Sequence, residues 1–304
     1  MTAQDDIHDA DGAGHRFAAM GPVLLCHDGS HHADRAVRRA ATLLRPRDAV
    51  VLGLRRGPSG AGGGESGRRL ALDAGFEPVA VASAGHGPMA EAVLEQAHRR
   101  DVSVIVLGSD GGASSPSRVL GGMPAALVDR SDLPVLVVPP EVPPFAASEP
   151  ILMCYDGSPP ARRALTMAAG LLMGRAAIVV AFMPAVDDVA ILRSALPSPV
   201  AGAVQDGLAR LHREAAEAPA ERALEGARTA AAAGFLPRPA GIRGIDASSD
   251  EDSDPFKRLL RTAATEDAAC IVVGHRRSAT RLESTAHGLV HHADRPVLVI
   301  PGAP

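Results

Sequence analysis

Residues 23–30 read VLLCHDGS, and residues 151–158 read ILMCYDGS. Each is a strand-length apolar run that stops at an aspartate followed by Gly-Ser. One phrase written twice in a single chain indicates an internal repeat. After the first copy, HHADRAVRRAATLLRP places Ala33, Ala36, Val37, Ala40, Leu43 and Leu44 at helical spacing. Further apolar runs follow at 49–55, 78–83, 103–108 and 134–140, with a helical pattern over 88–99. The second copy is followed by PPARRALTMAAGLLM, which matches the first helix of unit one. Its later runs lie at 176–182, 238–243, 270–274 and 296–301.

Short unbroken Val/Ile/Leu runs alternating with amphipathic helices indicate a parallel sheet covered on both faces. Right-handed crossovers then make each unit a doubly wound, Rossmann-like α/β domain. The expected organisation is a disordered tail over 1–20, a first domain over 21–139, a Pro-rich linker over 140–150 and a second domain over 151–304. The prolines of the linker predict a stiff, extended spacer.

The 304 residues suffice for two domains, and 46% apolar residues suffice for their cores. With 2% aromatics, those cores must be built from Ala, Val, Leu and Ile. A net charge of −4 and the lack of an aromatic-interleaved basic run argue against nucleic acid as a partner. The first 20 residues are acidic and polar, unlike a signal peptide, and no apolar run is long enough to span a membrane. Cys26, Cys154 and Cys270 sit in strand-like contexts without paired spacing. They read as buried small hydrophobes of a reducing, cytoplasmic compartment.

In open parallel sheets, ligands bind beyond the carboxyl ends of the strands where the winding reverses. Asp28 ends the first strand and Gly108 ends the fourth, so the two line one crevice if those strands are neighbours. From Gly108 the chain reads GSDGGASSPSRVLGGMPAAL: Gly108, Ser109, then Gly111, nine residues, and Gly121-Gly122. Glycines admit close approach of backbone to a bulky anion. Pro124 suits the first turn of a helix, whose free N–H groups would face the loop. This is the make-up of a phosphate cradle, with a carboxylate opposite to accept hydrogen bonds from a sugar or base edge.

On these residues (strand-ending Asp-Gly-Ser, the Gly-x-x-Gly-nine-Gly loop, and the closing Pro-Val-Leu-Val-Val) the chain resembles a tandem universal stress protein over about residues 21 to 302. The resemblance implies a strand order of 3-2-1-4-5, which sets strands one and four side by side. It also implies ATP binding, with Asp28 near the adenosine and Asp28, Gly29, Ser30, Gly108, Ser109, Gly111, Gly121 and Gly122 around the nucleotide. ADP or AMP, and Mg2+ accompanying the nucleotide, belong to the same expectation. Gly122 departs from the family, where Ser or Thr is usual.

The second unit keeps Asp156-Gly157-Ser158 and Gly274, but Arg277 stands at the next glycine. Its loop is shorter, Glu283 followed by Ser284 falls where the third glycine belongs, and Asp246, Asp250, Glu251, Asp252 and Asp254 crowd the same edge. This reads as a degenerate, structural copy, although Arg276 and Arg277 could hold a smaller anion. The Ala/Arg/Glu-rich stretch 184–236 reads as a solvated helical insert, and GPSGAGGGESG (57–67) as a flexible loop beside the crevice. His27, His31 and His32, and the later His287, His291 and His292, read as strand-end or exposed histidines, with no metal site expected.

The apolar final strands would be sheet edges, which invite pairing. In the resembled family this strand pairs subunits, so the two units are expected to form an internal pseudo-dimer, and whole chains could pair further. No base, nucleophile pair or metal-carboxylate cluster lies beside the loop, so no catalytic residue is assigned. The expected role is a nucleotide-responsive regulatory protein of stress adaptation. The alternatives are a slow ATPase or phosphoryl-transfer enzyme, and a scaffold that binds no nucleotide.

Overall fold

The computed structural model describes residues 21–44, 47–54, 63–83, 88–109, 122–172, 174–182, 220–237, 243–245, 255–276 and 285–302. In the first half β1 (Val23–His27), α1 (His31–Leu43), β2 (Asp48–Gly53), α2 (Gly64–Asp73), β3 (Glu77–Ser83), α3 (Met89–Arg99), β4 (Val104–Gly108), α4 (Gly122–Arg130) and β5 (Val135–Val138) alternate as the apolar runs predict. The second half contains β6 (Ile151–Tyr155), α5 (Pro159–Leu172), β7 (Ala176–Phe182) and a helix α6 described over 220–232. It continues with β8 (Leu236–Pro237), β9 (Arg243–Ile245), α7 (Pro255–Thr265), β10 (Cys270–His275), α8 (Thr285–His292) and β11 (Val297–Pro301).

The strands form one sheet in the order β3-β2-β1-β4-β5-β11-β10-β6-β7-β8, with β9 also on β7. Each half therefore has the order 3-2-1-4-5, and all pairs within a half are parallel. The junction is antiparallel: Val297, Leu298 and Val299 pair with Val137, Leu136 and Val135. Two apolar edges that would otherwise expose unpaired backbone groups thus cover each other, and the expected internal pseudo-dimer is realised as a continuous sheet.

The central strands are buried on both faces, because each face carries a layer of helices. One layer packs α1, α2, α5 and α6 residues such as Val37, Leu70, Leu165 and Ala227, and the other packs Val93, Leu127, Leu259 and Leu289. Both layers run across the junction, so the two domains share their cores. Small residues do most of this packing: on α5, Ala161, Ala164, Ala168 and Ala169 are all buried. That follows from a composition almost without aromatic residues. Asp101 and Asp267, at φ 50° and 49°, turn the chain in the same way between α3 and β4 and between α7 and β10, the strands beside β1 and β6.

The Pro-rich segment packs rather than merely spanning. Val142 is buried, its carbonyl accepts from Arg39 at 3.2 Å, and the Arg39 guanidinium lies 5.2 Å from the Phe145 ring centre. Arg175 donates to the carbonyl of Thr42, tying the halves together by a second route. Cys26 and Cys270 are buried, and burial pushes each thiol up to about 12. They fill space and carry little thiolate.

Two sequence expectations change. The described end of the 184–236 stretch is not a solvated insert. Helix α6 is the crossover between β7 and β8, with Ala223, Ala227 and Ala230 buried. Its glutamates and arginines conceal an alanine stripe, which hydropathy underrates because alanine is only weakly apolar. Likewise Gly63 to Gly67 are not a loop: they begin α2, packed on the end of β1. Residues 1–20, 55–62 and 183–219 lie outside the described residues.

Candidate functional site

The end of β1 is a compact local motif. The Asp28 Oδ1 accepts the Ser30 N–H at 3.0 Å, Gly29 turns the chain at φ 82°, and the Ser30 Oγ accepts the Ala33 N–H at 3.2 Å. Ser30 is thereby the N-cap of α1. The end of β6 repeats it: Asp156 accepts Ser158 at 2.9 Å, Gly157 has φ 77°, and Ser158 accepts Ala161 at 3.3 Å. Asp-Gly-Ser therefore has a local reason to exist in both domains, as an Asx turn that feeds a capped helix. Ser30→Ala or Ser158→Ala should each cost about 1 kcal/mol, read as a lowered urea midpoint. The two domains differ only in what surrounds this turn.

In the first domain, β1 lies beside β4, with Val23 paired to Val104 and Leu25 to Val106. Continued past the last bonded pair, that register sets His27 beside Gly108 and Asp28 beside Ser109. Both lie at the carboxyl edge where the winding reverses. A Cβ at Gly108 would stand 3.6 Å from the His32 carbonyl oxygen, an ordinary contact. Ser109 is buried and its N–H donates to the Val138 carbonyl at 2.8 Å. Gly122 opens α4, exposed, with no described residue within 4 Å of where a Cβ would stand. Asp28, Gly29, Ser30, Gly108 and Ser109 thus gather at one mouth. Gly111 and Gly121, with the whole of 110–121, lie outside the described residues.

His27, read from the sequence as a strand-end or exposed histidine, is a buried part of this motif. Its ring is fully buried, and Nε2 lies 2.8 Å from Asp34 Oδ1. The Gly29 N–H donates to Nδ1 at 3.2 Å, so Nδ1 accepts and the Nε2–H donates to Asp34. Gly63 and Gly67 of the next crossover close over this ring and its carbonyl. His27 holds the Asp28 turn from below. The only sequence signal was a histidine at a strand end with an aspartate on the first turn of the following helix.

The second domain builds something else at the same place. Tyr155 replaces His27, and Arg162 replaces Asp34. The Tyr155 OH donates to Glu225 Oε1 at 2.9 Å, while Arg162 donates to that oxygen at 2.9 Å and to the Tyr155 oxygen at 3.3 Å. Burial and the Glu225 carboxylate hold the tyrosine hydroxyl above its ordinary value, and the bonds from Arg162 and Tyr155 hold Glu225 below its own. From α6, Arg222 donates to the Asp156 carbonyl at 2.8 Å and lies across Gly157. Gly274, the counterpart of Gly108, is pressed on α5: a Cβ there would be 2.7 Å from the Pro160 oxygen. Arg276 is exposed, whereas Arg277, Glu283 and the acidic loop lie outside the described residues.

The comparisons agree with this architecture. The profile of the "Universal stress protein family" matches residues 20–139 and again 148–301. A universal stress protein from Archaeoglobus fulgidus DSM 4304 superposes over 93% of this chain and 99% of its own, at 16% identity and a TM-score of 0.60. A functionally unknown protein from Pseudomonas aeruginosa PAO1 does so over 94% of each chain, at 16% identity and a TM-score of 0.57. A universal stress protein in complex with cAMP covers 40% of this chain and 98% of its own, at 22% identity and a TM-score of 0.32. No curated protein matches the sequence significantly. No described helix is long and apolar enough to cross a membrane. With both halves matched by one profile, and both built in its strand order, this chain belongs to the universal stress protein family.

Proposed function

We propose that the first domain binds an adenine nucleotide at the β1–β4 mouth, and that the second serves as its built-in partner in a nucleotide-responsive protein of stress adaptation. The observation that supports this is the contrast between two copies of one turn. Beside the Asp28 turn, Gly108 stands at an ordinary distance from α1, a Cβ there lying 3.6 Å from the nearest described atom. At the Asp156 turn, Arg222 bonds the Asp156 carbonyl and lies across Gly157, and Gly274 is packed tightly on α5. Backbone N–H groups of the 110–121 loop and of the first turn of α4 would hold the phosphates, and the Asp28 carboxylate would accept from the ribose. Mg2+ would arrive with the nucleotide, since no dense carboxylate set at this mouth would hold it alone.

Calorimetric titration of the full chain with ATP, ADP, AMP and cAMP, each with Mg2+, tests the reading. One saturable site per chain is expected, lost in Gly111→Val because a β-branched side chain blocks the approach of the backbone to phosphate. Absence of saturable binding, or binding indifferent to Gly111→Val, would overturn it. Phosphate release in the same mixtures reports on hydrolysis. Turnover that vanished in Asp28→Ala would make the protein an enzyme rather than a sensor.

A further inference from the structure

Away from the nucleotide mouth, at the junction of the two domains, three ligand-bearing side chains converge. Asp129 comes from α4 of the first domain, His275 from the end of β10, and His287 from α8. One ligating atom of each lies within 4.8 Å of the others. Both imidazoles are buried, at 3% and 5% exposure, and their rings meet edge to face with centres 5.3 Å apart. His287 Nε2 stands 2.8 Å from Asp129 Oδ1. Despite that distance the two atoms are not aligned as donor and acceptor, and Nδ1 of the same ring also has no hydrogen-bond partner among the described residues. A buried imidazole whose nitrogens lack aligned partners is costly.

We propose that Asp129, His275 and His287 form a divalent transition-metal site that clamps α4 to the second domain. Two imidazoles and one carboxylate are a ligand set for zinc or a neighbouring first-row ion, with solvent completing the sphere. Nitrogen and oxygen ligands at ~2.05 Å around a tetrahedral ion stand about 3.3 Å apart, so Nε2 and Oδ1, now 2.8 Å apart, part by roughly half an ångström as the ion enters between them. An ion between them would give their misalignment a reason, since ligands of one metal aim at the metal rather than at each other. The His275 ligand atom, within 4.8 Å of the other two, draws in by up to about 1.5 Å to complete the sphere.

The repeat sharpens the assignment. Aligning Gly108 with Gly274 puts Ser109 at the position of His275. Aligning Pro134 with Pro296 puts Ala125 at that of His287 and His291 at that of Asp129. The mirror position thus offers one imidazole and no carboxylate, so the full set occurs once per chain. The sequence reading expected no metal site here, although His287 and His291 stand four apart on one helix. The fold separates them: His287 is buried at the junction, and His291 is only partly buried.

The full-length chain, stripped with a chelator, should bind about one equivalent of Zn2+ by calorimetry. Co2+ in its place should show the visible absorption of a low-symmetry nitrogen/oxygen site. At Zn2+ about a hundredfold above Kd, the thermal midpoint should rise by about 5 °C. His287→Gln and the near-isosteric Asp129→Asn should each weaken binding at least tenfold and at least halve the thermal shift at the same Zn2+ concentration, while His291→Ala with His292→Ala leaves both intact. If His287→Gln does not fold, the wild-type titrations and Asp129→Asn still decide. No stoichiometric Zn2+ or Co2+ binding to the wild-type chain would leave a plain imidazole–carboxylate pair and overturn the proposal. So would binding unaffected by Asp129→Asn, or lost in the His291/His292 variant.

Discussion

Gly63→Ala should destabilise the protein by about 3 kcal/mol, at the upper end of what overpacking a core costs, and should impair the nucleotide mouth as well. The backbone of Gly63, at φ −59° and ψ 11°, is open to any residue, so the cost is steric. An alanine Cβ would lie 2.3 Å from His27 Nδ1, 2.5 Å from the Gly29 nitrogen and 2.6 Å from the His27 oxygen. Two of these are backbone atoms of the turn that carries Asp28, and the third is the nitrogen that receives the Gly29 N–H. None can retreat alone, because the His27 carbonyl also accepts the Leu54 N–H at 2.8 Å. Gly64→Ala is the control one residue on. There the nearest atom is a Val81 methyl at 3.1 Å, a half-exposed side chain that can shift, so the loss should stay under about 1 kcal/mol. Urea denaturation of both variants checks the contrast. Equal stability of the two would show that the α2 start does not press on the β1 turn.

Gly122→Ser should strengthen ATP binding about tenfold or more. A hydroxyl donating to a charged phosphate contributes about 1.5–3 kcal/mol, which corresponds to roughly ten- to a hundredfold in Kd. The position is exposed, starts α4 and has no described residue within 4 Å of where the new side chain would begin. Serine is also a better helix residue than glycine by a few tenths of a kcal/mol, so no fold penalty offsets the gain. The hydroxyl would reach the terminal phosphate or its Mg2+, so the effect should be large for ATP and small for AMP. Calorimetry with both nucleotides separates the cases. An equal gain for AMP would place the phosphates elsewhere along the loop, and no gain at all would remove α4 from the site.

Most of the fold was legible in the repeat. Strand-length apolar runs and helical spacing gave the elements, and the two Asp-Gly-Ser phrases marked equivalent turns. The misread segments share a cause. The α6 stripe is made of alanines among charged residues, and the start of α2 is made of glycines. Both are small residues chosen for close approach, and a hydropathy pattern registers them as solvent or loop. Around the site, Asp28 and Gly108 stood out by position along the chain. The His27–Asp34 bond did not, because a buried histidine looks the same in sequence as an exposed one.

What the sequence by itself determined is periodic and local: strands, helices, the turn chemistry and the doubling of the unit, since each depends on neighbours a few residues apart. Tertiary structure decided what depends on residues far apart in the chain. Pairing of β5 with β11 merged two sheets into one, α6 set Arg222 and Glu225 against Asp156 and Tyr155 at the end of β6, and Asp129 met His275 and His287 across the junction. Such contacts are set by which faces of distant helices come to rest on a shared sheet, and no spacing along the chain encodes that distance.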